Sequence, residues 1–216
     1  MRKTESQSNQ AGFSVALGLF DYINPILYTI TAVTLAIHMR GEMSPVCFAV
    51  FLLGAVLSIG FGLAIPTVKA LVGLGRFEFK MPVNLVFFVN SGILLSGLAL
   101  FCAVLRPGAG LLMLLVLSIL GLLLSVYQSK KKFNTVAVLT GACGYLLIYV
   151  TMIYRCARTG HGASVALYAA AIALFVALCG IGIKANLKDA RVHWVIEAGN
   201  VCCQACVALA TVLAFR

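Results

Sequence analysis

His193, Glu197, Asn200 and Gln204 fall at i, i+4, i+7 and i+11 in the otherwise apolar stretch HWVIEAGNVCCQ. That spacing puts all four on one face of a helix. Ala208 and Thr211 extend the same face with small side chains. An acid, an imidazole and two amides in a row can hold a polar or cationic solute, or take up a proton. They can equally bond to neighbouring helices, at about 0.6 kcal/mol per contact. An ionisable group inside a membrane span costs about 2.5–3.5 kcal/mol on insertion scales. Glu197 is therefore expected to face the bundle interior and to line a solute or ion pathway.

A second stripe near the N-terminus has the same character. Asp21, Asn24, Tyr28 and Thr31 are spaced i, i+3, i+7 and i+10. Pro25 lies among them; its ring clashes with the carbonyl of residue 21, and its missing N–H leaves that carbonyl free. A broken helix beside an acid and an amide is a way transporters build ion and solute sites. The other reading is a wet N-terminal cap on a helix starting at Pro25. That helix would run only to Met39, which is short for a span, so a kink is expected. A third polar set, Asn84, Asn90 and Ser91, brings the candidate binding residues to ten, with Asp21, Asn24, Tyr28, His193, Glu197, Asn200 and Gln204. Asn84 and Ser91 share a face and Asn90 lies beside it; helix-packing contacts are the competing explanation.

The elements that carry these stripes must be membrane spans. The chain has 216 residues, of which 62% are hydrophobic and 10% charged. Soluble domains are about 45–50% apolar and about 25% charged. Seven spans are expected: 14–39, 45–65, 82–105, 111–127, 134–154, 164–183 and 192–215. The apolar run after MRKTESQSNQ continues beyond a signal-peptide core and has no small-residue cleavage site, so it is expected to be retained. Ser44 and Pro45 form a helix start. The fold class is all-α and polytopic. The net charge of +10 is carried by short loops between spans, where it meets headgroups; nucleic acid is not an expected partner. Eleven basic residues, Lys69 and Lys130–Lys132 among them, fall on the side of the N-terminus and five on the other. By the positive-inside rule the N-terminus is cytoplasmic and the C-terminus external.

The spans group as three, a linker and three, with repeats over 14–106 and 133–216 and a linker helix over 108–128. VNLVFFVNS (83–91) aligns with VHWVIEAGN (192–200). Triplets separated by one span share an orientation, so the repeat would be parallel. This layout, with Asn90-Ser91-Gly92 in span 3 and Asn200 in span 7, is similar in architecture to the SWEET sugar transporters and the nicotinamide riboside transporters. The resemblance implies solute contacts at Asn90 and Asn200. The expected topology is opposite to that of SWEETs, and Trp194 is the only Trp, so the likeness is one of layout.

Other chemistries find little support. Cys202, Cys203 and Cys206 could offer soft ligands, but no second pair with ligand spacing lies near them. His38, His161 and His193 sit at the ends of different spans. No HExxH, GxSxG, P-loop or dinucleotide fingerprint occurs, and no cofactor or metal is expected. Gly54, Ser58 and Gly62 form a small-residue seam for close helix packing. Tyr145 and Tyr149 could line a cavity or face lipid. The expectation is a small non-enzymatic transporter or permease-like protein in the cell membrane. Its central site lies between spans 1, 3 and 7 and takes a polar or cationic solute. Alternatives are a non-catalytic subunit or sensor of a larger assembly, or a lipid-modifying enzyme using Glu197 with His193. A homodimer or a partner subunit is compatible with so narrow a bundle.

Overall fold

Hydrocarbon offers backbone groups no hydrogen-bond partner, so a chain that crosses it must be helical throughout each span. The computed structural model describes residues 14–75, 83–105, 133–184 and 190–216. Among the described residues it has helices and no strand. Helix α1 (Val15–Asp21) starts at Ser14, whose Oγ accepts from the N–H of Leu17 at 3.2 Å. Tyr22 interrupts the helix, and α2 (Ile23–Met39) continues the same 25-residue span. The break falls where Pro25 removes the donor to the carbonyl of Asp21, the last residue of α1.

Helix α3 (Pro45–Gly73) starts on Ser44, whose Oγ accepts from Cys47 N–H at 3.2 Å. It corrects the expected boundary. The second span was expected to stop at Ile65 with Lys69 in the following loop; instead the helix runs 29 residues and carries Pro66 inside it. A proline removes one bond, here to the carbonyl of Gly62, and the helix continues because its apolar residues remain in contact with α1. Helices α4 (Val83–Leu105), α5 (Phe133–Arg158), α6 (Gly162–Lys184) and α7 (Ala190–Leu213) follow. Among the described residues six stretches are long and apolar enough to cross a bilayer. Their outward faces are apolar too, with Ile37 and Val56 each 67% exposed. The chain is a polytopic helical membrane protein. The expected span over 111–127 lies outside the described residues.

The helices close into a ring in chain order: α1 and α2 against α3, α3 against α4, α4 against α5, α5 against α6, α6 against α7, and α7 back on α1 and α2. Most neighbours among the described helices are antiparallel, and two pairs are parallel. Asn90 lies by Gly141 and Gly97 by Gly144 across α4 and α5. Phe20 packs at a tilt beside Trp194, and His38 stacks on Phe215, across the first span and α7. One end of the ring is filled by Leu35, Met39, Phe51, Met152, Tyr168 and Val207, all but fully buried.

Backbone contact sets the tightest seam. A methyl group on Gly54 would lie 2.5 Å from the carbonyl oxygen of Gly92, and one on Gly92 would lie 2.5 Å from that of Gly54. Ser58 Oγ donates to the carbonyl of Val89 at 3.0 Å one turn away. Gly62 leaves this seam and faces Pro25 of α2. Gly54→Ala should therefore force α3 from α4 and cost about 1–3 kcal/mol. Gly60→Ala is the control, since Gly60 is exposed on the same helix with nothing within 4 Å of an added methyl. Thermal unfolding in detergent should show a loss for the first and none for the second; equal effects would mean that the seam is not tight.

Candidate functional site

The break at Tyr22 leaves Asp21 at the end of α1, turned toward α3 and α7. Helix α3, extended past Pro66, brings Lys69 to the same level. Glu197 comes from the second turn of α7. Lys69 Nζ donates to Asp21 Oδ2 at 2.7 Å and to Glu197 Oε1 at 2.7 Å. The three side chains are buried, at 7%, 9% and 10% exposure for Lys69, Asp21 and Glu197. Close backbone approach makes this reach short: a methyl group on Gly18 would lie 2.6 Å from the amide nitrogen of Ala70.

Asn24 completes the cluster. Its Nδ2 donates to Asp21 Oδ1 at 3.2 Å and to Glu197 Oε2 at 3.1 Å. Only the amide NH2 can face two carboxylates, so the carbonyl oxygen must point away from them. That Oδ1 is buried and has no hydrogen-bond partner among the described residues. Among the described residues two carboxyl groups face one ammonium, so a proton or a bound cation can complete the balance. Buried charge is costly unless it is paired, so the cluster has room for one more positive charge.

The cluster forms one wall of a cavity of about 310 Å³. The cavity extends from the triad to mid-span, where Ser58, Cys203 and Gln204 line it. Of the expected site residues, Asp21, Asn24, Tyr28, Asn90, Glu197, Asn200 and Gln204 line this one space. Span 3 offers it Asn90, while Ser91 is not among the residues that line it. The side chains of Asn84 and His193 lie outside those the structure describes. Gln204 is 7% exposed, and its Oε1 is a second buried acceptor without a partner among the described residues. Tyr145 lines the cavity with Phe175 from α6, while Tyr149 lies in the packed layer beside it, near Tyr168 and Cys203. Thr31 is buried and bonds its own helix, Oγ1 to the carbonyl of Leu27. Cys202 is exposed on the outer face of α7 and Cys206 is partly buried.

Lys69 is the residue that sequence reasoning placed wrongly. A lysine shortly after a proline reads as a loop marker. The signal against that reading was the apolar run on both sides of it, AIPTVKALVG over 64–73. Two acids inside spans also require a counter-charge, and Lys69 is close enough to a span end to supply it.

Charge balance makes an ordered set of stabilities. Lys69→Met leaves two facing buried carboxylates and should cost about 3–5 kcal/mol. Asp21→Asn and Glu197→Gln each leave a neutral ion pair and should cost clearly less. Thermal unfolding of the three variants in detergent checks the order; equal losses would show that balance of charge is not what holds α1, α3 and α7 together. No family model, curated protein or solved structure matches the chain.

Proposed function

We propose that the chain is a small membrane carrier that binds a cationic or polar solute in the central cavity. The observation that carries this reading is the unequal triad: two buried acids share one lysine on the wall of an interior space. A purely structural ion pair has no need of a second acid or of an adjoining hollow. Asp21 and Glu197 supply charge, while Asn24, Asn90, Asn200 and Gln204 supply hydrogen bonds. The walls come from the first span, α4 and α7, with α3, α5 and α6 adding Lys69, Tyr145 and Phe175.

Seven spans and a three-one-three parallel repeat belong to the same proposal. The parallel packing of α4 on α5 supports them, because Leu105 and Phe133 are then at opposite faces. The two parallel seams also lie across the ring from one another, dividing it into α1–α4 and α5–α7. The N-terminus is proposed to be cytoplasmic. Without Lys69, which is buried, ten basic residues still face five across the membrane. The triad lies near the face where α1 and α7 begin, which this orientation makes the cytoplasmic one.

Uptake into proteoliposomes tests the carrier reading, with a panel of radiolabelled amines, nucleosides and sugars. At least one solute should enter in a protein-dependent way. Asp21→Asn and Glu197→Gln should each reduce that uptake about tenfold or more, the loss of roughly 1.4 kcal/mol or above that one charged contact brings. If both variants fold and every uptake signal survives, the site is misplaced. If the wild-type chain moves nothing, the carrier reading fails.

A further inference from the structure

The wall of the cavity narrows the class of solute, on the assumption that the cavity is a binding site at all. Its charged groups, Asp21, Lys69 and Glu197, sit together, and single polar side chains enter from every helix but α6. Between them the wall is hydrocarbon and aromatic, with Val86, Val89 and Ile93 beside Tyr28, Tyr145 and Phe175. The rings of Tyr145 and Phe175 are 5.7 Å apart and tilted by 55°, so they make a corner rather than a flat face. Aromatic faces carry partial negative charge and attract cations that have shed some of their water.

Three solute classes fit poorly. An anion meets two acids that share one lysine among the described residues. An alkali or alkaline-earth ion wants about six or more oxygen ligands close together, which a largely apolar wall does not offer. A sugar carries donors and acceptors all round and would strand most of them on Val, Ile and Phe side chains. An organic cation suits every side of the space. Its charge completes the balance of the two acids with Lys69, and its carbon body covers the hydrocarbon. A hydroxyl or N–H on it can donate to Gln204 Oε1, buried and unpartnered among the described residues. The carbonyl of Gly62, on the same wall, receives no N–H from Pro66 and is a further acceptor at the cavity's edge. The volume of about 310 Å³ equals roughly ten water molecules, enough for a small amine with water beside it.

We infer that the cavity takes a monovalent organic ammonium ion with an apolar body. Asp21 and Glu197 neutralise its charge, Tyr145 and Phe175 hold its alkyl groups, and Gln204 accepts from its polar end. Lys69 remains between the two acids and prevents a doubly charged solute from being favoured.

Calorimetry on the full chain in detergent tests this with choline, propylammonium and guanidinium chlorides, and with neohexyl alcohol, the uncharged counterpart of choline's shape. Choline should bind about tenfold or more tighter than neohexyl alcohol. Tyr145→Leu should weaken choline about two- to thirtyfold, whereas Tyr145→Phe, which keeps the ring, should stay close to the wild type. Equal affinity for choline and neohexyl alcohol overturns the inference, as does the absence of binding by all three cations. So does a folded Tyr145→Leu protein with unchanged choline affinity. The two readings fail separately. Uptake of neutral solutes that depends on Asp21 and Glu197, with no ammonium binding, removes the ammonium assignment and leaves the carrier. Ammonium binding without uptake of any solute leaves the site and removes the carrier.

Discussion

Lys69 lies 2.7 Å from a carboxylate oxygen of each of two acids that come from different helices. None of the three charges could remain in hydrocarbon alone, and each solvates the others. The rest of the bundle is arranged around this requirement. Asp21 must lie on the inward stripe of the first span, and α3 must outlast Pro66 to deliver the ammonium. Helix α7 must run parallel to the first span for Glu197 to arrive at the level of Asp21. Asn24 follows from the same need. Its NH2 spans the two carboxylates on the side away from Lys69 and lowers their mutual repulsion.

Close backbone approach makes such a cluster reachable. Two helices separated by bulky side chains sit about 8–10 Å apart, and short acids then fail to meet across the gap. Gly18 against Ala70 removes that spacing between α1 and α3 just where Asp21 and Lys69 pair. Gly54 and Gly92 do the same for α3 and α4. The ring is therefore tight at the triad, where Gly18 meets Ala70, and at the Gly54–Gly92 seam farther along α3, while Tyr28, Tyr145 and Phe175 line the hollow.

Much of this was legible in the sequence, because helical periodicity in hydrocarbon is a strong constraint. The spacing of Asp21, Asn24 and Tyr28, and that of Glu197, Asn200 and Gln204, fixed which residues share a face. The high cost of a lipid-facing acid fixed which way those faces turn, and the two stripes do line one hollow. The interruption of the first span was legible from Pro25, although it is Tyr22 that leaves the helix. Lys69 was not legible by local rules. Pro66 and a lysine look like a helix end, and only a partner 128 residues away in sequence makes the lysine's burial favourable. Tyr145 was ambiguous for a related reason. A tyrosine is equally at home against lipid and in a cavity wall, and the choice depends on Phe175 of a different helix.

The two ends of the bundle are held by different forces. At the far end Arg155 bonds Glu42 through two nitrogens, at 2.7 and 3.3 Å, and stands 4.5 Å over the ring of Phe215. Glu42 is 45% exposed in its side chain, so water screens this pair, and an exposed pair of this kind contributes about 0–1 kcal/mol. The packed layers beneath it, from Leu35 and Met39 to Tyr168 and Val207, hold that end by contact rather than by charge. At the near end the reverse is true: α1, α3 and α7 meet at charges, with a hollow behind them. A proton or a bound cation changes the energy of the near end directly and barely touches the far one. Any movement driven by charge would therefore pivot α1, α3 and α7 about a fixed, apolar base. Around Tyr22 the regular ladder of the first span is thinnest, because the Tyr22 N–H bonds Leu19 at 3.3 Å and Pro25 brings no donor to the carbonyl of Asp21, so that is where the bending should concentrate.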